Sequence, residues 1–233
     1  MDAVRAIGFD IDHTLAIDNR LERVAFLRLL EAILDEGAKT VGTLADEIAS
    51  IDDLLARQRR GEFSIDDAVR YFVTQRDLEP SDRHVVAFRS SAVEMVDEFV
   101  VALPGVRTTL ETIRGRDIAV AVLTNGWNPL QARKAAKVGF QGPVLVSSEI
   151  GEQKPSAGAF ERLSERLGVA PTATWYVGDD PSVDVAGAQG VGMRAVWLDW
   201  EHKEYPVDLR GPDRTIRNFP DLLEILTPEM PVR

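Results

Sequence analysis

The chain predicts an α/β fold, a Rossmann-like, doubly wound parallel sheet with an inserted all-helical domain. Three observations carry this. An apolar run near the N-terminus, with Val4, Ala6, Ile7 and Phe9, ends abruptly in Asp10 and Asp12. Beyond Gly105, short apolar runs alternate with stretches of helical period, as parallel βαβ units require. Between these parts, apolar residues recur only at helical spacing. The expected division is a core of residues 1–16 and 104–233 and a helical insert of residues 17–103.

In chain order, residues 3–9 read as a buried strand that releases two acids at its carboxyl end, where open α/β sheets bind ligands. Leu21, Val24, Leu27, Leu30 and Leu34 then keep a helical period until Gly37 supplies a C-terminal stop. Thr43 with Asp46, and Ser64 with Asp67, have the spacing of capping boxes that use Asp, opening helices near 43–60 and 64–76. Residues 81–102 read as one long amphipathic helix through Val85, Phe88, Val93, Val96 and Val100, ended by Pro104-Gly105. Strand-length apolar runs follow at 118–123, 143–146, 174–177 and 193–197, with helices near 106–115, 128–137, 156–167 and 182–189. The tail after Trp200 carries prolines 206, 212, 220, 228 and 231; it is expected to wrap the core, with one short helix near 220–226.

With 233 residues, 45% hydrophobic and 28% charged, the chain can bury a substantial core. A net charge of -11 argues against nucleic acid as a partner, because phosphate backbones attract basic surfaces. The same field opposes small anions, so a phosphate site here needs a local cation, either a lysine or a metal. The absence of cysteine excludes disulfides, thiolate zinc sites and cysteine nucleophiles, and fits a reducing cytoplasm. No basic segment followed by an apolar one opens the chain, and no apolar stretch approaches membrane-spanning length, so a cytoplasmic protein without a membrane partner is expected.

Four polar groups fall at the ends of core strands or in the loops after them. They are Asp10 with Asp12, then Thr124-Asn125-Gly126, then Lys154-Pro155, then Gly178-Asp179-Asp180 with Asp184. Carboxylates from the first and fourth strands make a hard oxygen site suited to Mg2+. A hydroxyl, backbone N–H groups beside a glycine, and an ammonium are the donors that hold phosphoryl oxygens, which makes Thr124, Asn125, Gly126 and Lys154 a candidate cradle. Singly, each has a plain structural reading: a strand-end threonine, a turn-forming aspartate, a solvated lysine. Their joint order points to chemistry.

The succession D-x-D-x-T, L-T-N-G, K-P and G-D-D-x-x-x-D resembles the four motifs of the haloacid dehalogenase-like hydrolase superfamily, over essentially the whole chain. Residues 123–184 look most like its small-molecule phosphatases, and one large subgroup carries a helical cap between the first and second motifs. The resemblance implies that Asp10 is a nucleophile forming an aspartyl-phosphate, and that Asp12 is the general acid and then the general base. It implies that Thr124 and Lys154 bind the transferring phosphoryl group, and that Mg2+ sits on Asp10, the Asp12 backbone carbonyl and Asp179. Asp184 would orient Lys154 or a metal-bound water; Asp180 either reaches such a water or caps a helix. The implied substrate is a small phosphorylated metabolite of nucleotide, sugar phosphate or phosphoglycolate type, selected by the cap. Oligomeric state stays open.

The acid at position 12 argues against carbon–halogen hydrolysis, because the dehalogenases of the superfamily lack one there. Phosphonate cleavage would need a cap lysine, and the insert offers only Lys39. Three further alternatives stand. A phosphohexose mutase would use the same phosphoaspartate; a receiver domain would hold it stably, though in a different chain order; and a silent binding protein would keep the fold alone. Arg57-Gln58-Arg59-Arg60 is either a second anion contact or a solvated helix end, Trp127 either a stacking platform or core, and His13 a loop or cap contact. His84 and His202 lack the partner spacing of a zinc site.

Overall fold

In the computed structural model, which describes residues 4–226, strand β1 (Ala6–Phe9) is buried at every residue. The other strands are β2 (Ala16–Ile17), β3 (Val101–Ala102), β4 (Ala119–Thr124), β5 (Val144–Val146), β6 (Thr174–Gly178), β7 (Arg194–Leu198) and β8 (Arg214–Ile216). Six of them form a parallel sheet in the order β5-β4-β1-β6-β7-β8. Because β1 is central, Phe9 lies level with Val122 of β4 on one side and Val177 of β6 on the other. The residues that follow those strands therefore emerge side by side, at the place where the chain's path across the sheet reverses. The sheet is the expected α/β core.

Two local expectations are corrected. The tail does more than wrap the core, since Arg214–Ile216 adds a sixth parallel strand beside β7. Its brevity and two exposed residues hid it, because an edge strand of that length has little alternation to read. The long helix over 81–102 is instead helix α4 (Asp82–Glu94) and helix α5 (Val96–Phe99), followed by β3. The β-branched pair Val100-Val101 leaves the helix because Val101 and Ala102 find antiparallel partners in Ile17 and Ala16.

The chain divides into two units, Met1–Ile17 with Val101–Arg233, and Asp18–Val100. The β2–β3 ribbon lies within the larger unit, which places the boundaries at 17/18 and 100/101. The smaller unit holds α1 (Leu21–Asp35), α2 (Leu44–Arg59), α3 (Ile65–Thr74), α4 and α5. Both Asp capping boxes form, Thr43 with Asp46 and Ser64 with Asp67. Phe26 packs on Phe72 and Phe88 at ring-centroid distances of 5.0 and 4.4 Å, which ties α1, α3 and α4 into one core. Arg57 and Arg60 both pair with Glu62, and Arg57 lies over the Phe63 ring, the arrangement of a closed helix end.

In the larger unit the helices are α6 (Val106–Arg114), α7 (Leu130–Lys137), α8 (Ser147–Ile150), α9 (Ala157–Leu167), α10 (Ala186–Gly190) and α11 (Leu222–Ile225). The expected helix at 182–189 opens as a wide π-type turn, Pro181–Val185, before α10 begins. The apolar face of the sheet packs Leu123, Tyr176 and Ala195 against Phe160 and Leu163 of α9 and Ala188 of α10. That packing holds the strand ends in place.

Candidate active site

Lys154 is the hub around which the strand ends are arranged. Its ammonium donates to Asp10 Oδ1 at 2.8 Å, to Asp184 Oδ1 at 2.7 Å and to the Tyr176 hydroxyl at 3.0 Å. Three acceptors match the three donors of an ammonium, so a buried charge that would otherwise be costly is fully bonded. Tyr176 is held in turn by donating to Leu123 O at 2.7 Å. Burial raises the tyrosine well above its usual range, so it stays a neutral phenol. Lys154 itself is raised well above its ordinary value: burial opposes its charge, but Asp10 and Asp184 together outweigh that cost.

Asn125 was expected to bind phosphate, yet its side chain clamps the Lys154 backbone. Its Oδ1 accepts from Lys154 N at 2.9 Å and its Nδ2 donates to Lys154 O at 3.0 Å. Gly126 is similarly engaged, because its N–H donates to Ser147 Oγ at 3.0 Å. The Asn125 side chain thus ties the end of β4 to the loop that carries Lys154. Thr124 ends β4 buried, with its hydroxyl donating weakly to Asn125 O at 3.3 Å.

The turn after β6 supplies the remaining acids. Asp184 packs where a side chain on Gly178 would stand, since a Cβ there would lie 2.3 Å from its Cγ. Only glycine lets the strand end and the π-type turn approach this closely. Asp184 Oδ2 accepts from Asp180 N at 3.1 Å, which fixes its orientation. Asp180 settles as the cap of that turn, with Oδ1 accepting from Ser182 N at 2.8 Å and Val183 N at 2.9 Å. Trp197 donates to Asp179 O at 2.9 Å and holds that residue's backbone.

Asp10, Asp179 and Asp184 each offer a carboxylate oxygen, and these lie within 4.8 Å of one another. Asp184 thus joins the candidate metal group directly, besides orienting Lys154. Thr14, the threonine of the first motif, points its hydroxyl at Asp179 Oδ1 at 3.4 Å. Three carboxylates around one ammonium leave the site short of positive charge. Burial, with Asp184 and Asp12 adding repulsion and Lys154 opposing it, pushes Asp10 up to about 7. Burial, then repulsion from Asp184 and Asp10, pushes Asp179 up to about 8. A hard divalent cation bound by carboxylate oxygens fits this donor set and relieves the repulsion.

Asp12 stands apart from that cluster. Its Oδ1 accepts from Lys134 Nζ at 2.8 Å and its Oδ2 from Gln131 Nε2 at 3.0 Å. Neither partner was anticipated from sequence; the available signal was two polar residues at i and i+3 on a face of α7 that is otherwise buried. Gly126 takes a second part here. It sits at φ +140°, and a Cβ would fall 2.7 Å from Gln131 Nε2. His13 lies under Trp200, which donates to its backbone oxygen at 2.8 Å, and Trp127 is buried in the core.

Known proteins share this architecture and sequence. The family model described as haloacid dehalogenase-like hydrolase matches residues 4–192. The glyceraldehyde 3-phosphate phosphatase of Pyrococcus furiosus is 27% identical, with 98% of this chain and 95% of that protein covered. The phosphoserine phosphatase of Thermus thermophilus is 39% identical over a shorter stretch, 47% of each protein. Among solved structures, the 2-haloacid dehalogenase of Pseudomonas syringae pv. Tomato superposes with a TM-score of 0.71 at 26% identity, covering 96% of this chain and 98% of that one. With the parallel sheet, the inserted helices and the four acidic and basic groups in place, the chain belongs to the haloacid dehalogenase-like hydrolase family.

Proposed function

We propose that the protein is a Mg2+-dependent phosphatase that hydrolyses a small phosphorylated metabolite, of nucleotide, sugar phosphate or phosphoglycolate type, through an aspartyl-phosphate on Asp10. The observation that carries this reading is the charge balance around Lys154, where one ammonium faces Asp10 and Asp184 at 2.8 and 2.7 Å with Asp179 alongside. Asp10, Asp179 and Asp184 would hold the metal, which supplies the positive charge that a phosphate dianion needs beside three acids.

Asp10 is assigned as nucleophile because its carboxylate is buried and held against Lys154. Its oxygen attacks phosphorus as the bond to the leaving oxygen breaks, and Asp12 gives that oxygen a proton. Asp12, now a carboxylate, takes a proton from the water that attacks the phosphoryl group, and Asp10 is restored as phosphate leaves. Lys154, whose three donors are taken by Asp10, Tyr176 and Asp184, would act on the transferring group through its charge beside Asp10, while the Thr124 hydroxyl would donate to a transferring oxygen. A proton carrier serves an alkoxide leaving group and is of no use to a halide, which favours a phosphate ester over a haloacid. The relatives named for glyceraldehyde 3-phosphate and phosphoserine support a small monoester. Substrate selection is assigned to the helical unit Asp18–Val100, and the cytoplasm, which asks nothing of a chain without cysteine, is the proposed setting. Among the described residues, no helix is long and apolar enough to cross a membrane.

The test is phosphate release from an aryl phosphate. It is expected to require Mg2+ and to vanish on chelation and in Asp10→Asn. Release that survives Asp10→Asn sinks the mechanism, and a screen of phosphorylated metabolites then names the substrate class.

A further inference from the structure

Asp12 stands outside the hydrogen bonds of Lys154, yet it is held with equal care. Lys134 and Gln131, one turn apart on α7, take one carboxylate oxygen each, at 2.8 and 3.0 Å. Both are almost fully buried, at 1% and 4% exposure. Burying a lysine is costly unless a charge partner repays it. Gln131 also donates to Asn125 O at 3.3 Å, and its Oε1 is buried without a hydrogen-bond partner. Gly126, at φ +140°, leaves the space that its amide occupies. A fold that needed only a filled core at these positions would use apolar residues; this one accepts a buried ammonium, an unpaired oxygen and a position open only to glycine around one carboxyl.

We propose that Gln131 and Lys134 are positioning residues, which fix the Asp12 carboxyl so that its proton reaches the leaving oxygen. The inference rests on the phosphatase reading above. Holding both oxygens from one rigid helix restricts rotation about the Cβ–Cγ bond, and proton transfer demands hydrogen-bond distance and alignment at the moment of bond cleavage. Lys154 sets the nucleophile and Lys134 the proton carrier, so each acid has its own lysine.

The experiment uses aryl phosphates of graded leaving-group acidity, from 4-nitrophenyl to phenyl phosphate, with Mg2+ present. It reads kcat/KM, which reports only the steps through departure of the phenol. A poor leaving group depends on the proton and a good one much less. Lys134→Met and Gln131→Met are each expected to lose about tenfold more on phenyl phosphate than on 4-nitrophenyl phosphate, steepening the dependence on leaving-group acidity. A folded variant that loses equally on every member of the series, or loses nothing, overturns the inference. If Lys134→Met does not fold, Gln131→Met, which introduces no charge and removes none, decides alone. No release by the unmodified protein overturns the phosphatase reading and this inference with it, whereas a parallel loss in a folded variant overturns this inference only.

Discussion

The Arg76 pair of the smaller unit and the Lys154 hub of the larger one bury charge in opposite ways. In the smaller unit Arg76 and Glu47, at 0% and 2% exposure, form a one-to-one ion pair, with the guanidinium also bonded to Phe72 O and stacked on the Phe72 ring. In the larger unit, one buried ammonium is shared by acids that outnumber it. Burial alone lowers Arg76, and its glutamate opposes the shift; in the larger unit burial and neighbouring acids push Asp10 and Asp179 the same way. The Arg76–Glu47 pair is a structural device, because its two charges cancel without a cation, even though Arg76 Nε is buried without a hydrogen-bond partner. An unbalanced cluster is a binding device, since it is satisfied only when a cation arrives.

The contrast has consequences of graded size. Asp10→Asn is expected to cost at least about 10³-fold in aryl phosphatase activity, while leaving the metal-free thermal midpoint unchanged or higher because it removes a crowded carboxyl. A lower midpoint in that variant counts against the crowding argument. In the smaller unit, Glu47→Ala leaves Arg76 buried and unpaired, and is expected to cost about 3–5 kcal/mol in denaturant unfolding. Should that variant unfold at the unmodified denaturant midpoint, the pair is not structural and the comparison fails.

Acidity supplies a subtler check. In the metal-free fold Asp10 and Asp179 release their protons near 7 and 8, well above the 3.8 of the unfolded chain. The folded state therefore binds more protons than the unfolded state across that interval. Their contribution to stability is complete below the unfolded value and is lost as pH rises through 7 to 8. Metal-free protein is expected to lose more than about 10 °C in thermal midpoint between about pH 5 and pH 8. Magnesium should restore more at the alkaline end, where protons do not compete for the same oxygens. A magnesium effect independent of pH would break the link between crowding and cation binding.

The smallest effect concerns support of the hub. Asn125→Ala frees the Lys154 backbone at both N and O, and is expected to lower kcat by about tenfold with little change in stability. A change in KM alone would return Asn125 to direct phosphate contact.

Much of this site is legible in the sequence, for a reason visible in its residues. Asp10, Thr124 and Asp179 each follow a short apolar run, and a run that ends in a polar residue marks both a strand and its exposed end. The two Asp capping boxes were equally readable, because a cap and its partner are three residues apart and answer to local geometry. The helix break before Val101 and the edge strand at Arg214–Ile216 were not, since both depend on partners distant in the chain.

The sequence by itself determined the fold class, the order of the acidic and basic groups and the family, because these follow from local patterning and spacing. Only the tertiary structure decided which group touches which. That Asn125 serves Lys154, that Asp184 stands with Asp10 and Asp179, that Tyr176 completes the ammonium's shell and that Lys134 holds Asp12 are contacts between residues separated by 22 to 174 positions or brought together by a turn. The physical reason is that electrostatic and hydrogen-bonding roles are set by distances of a few ångströms in space, and a parallel sheet creates those distances between segments that the chain keeps far apart.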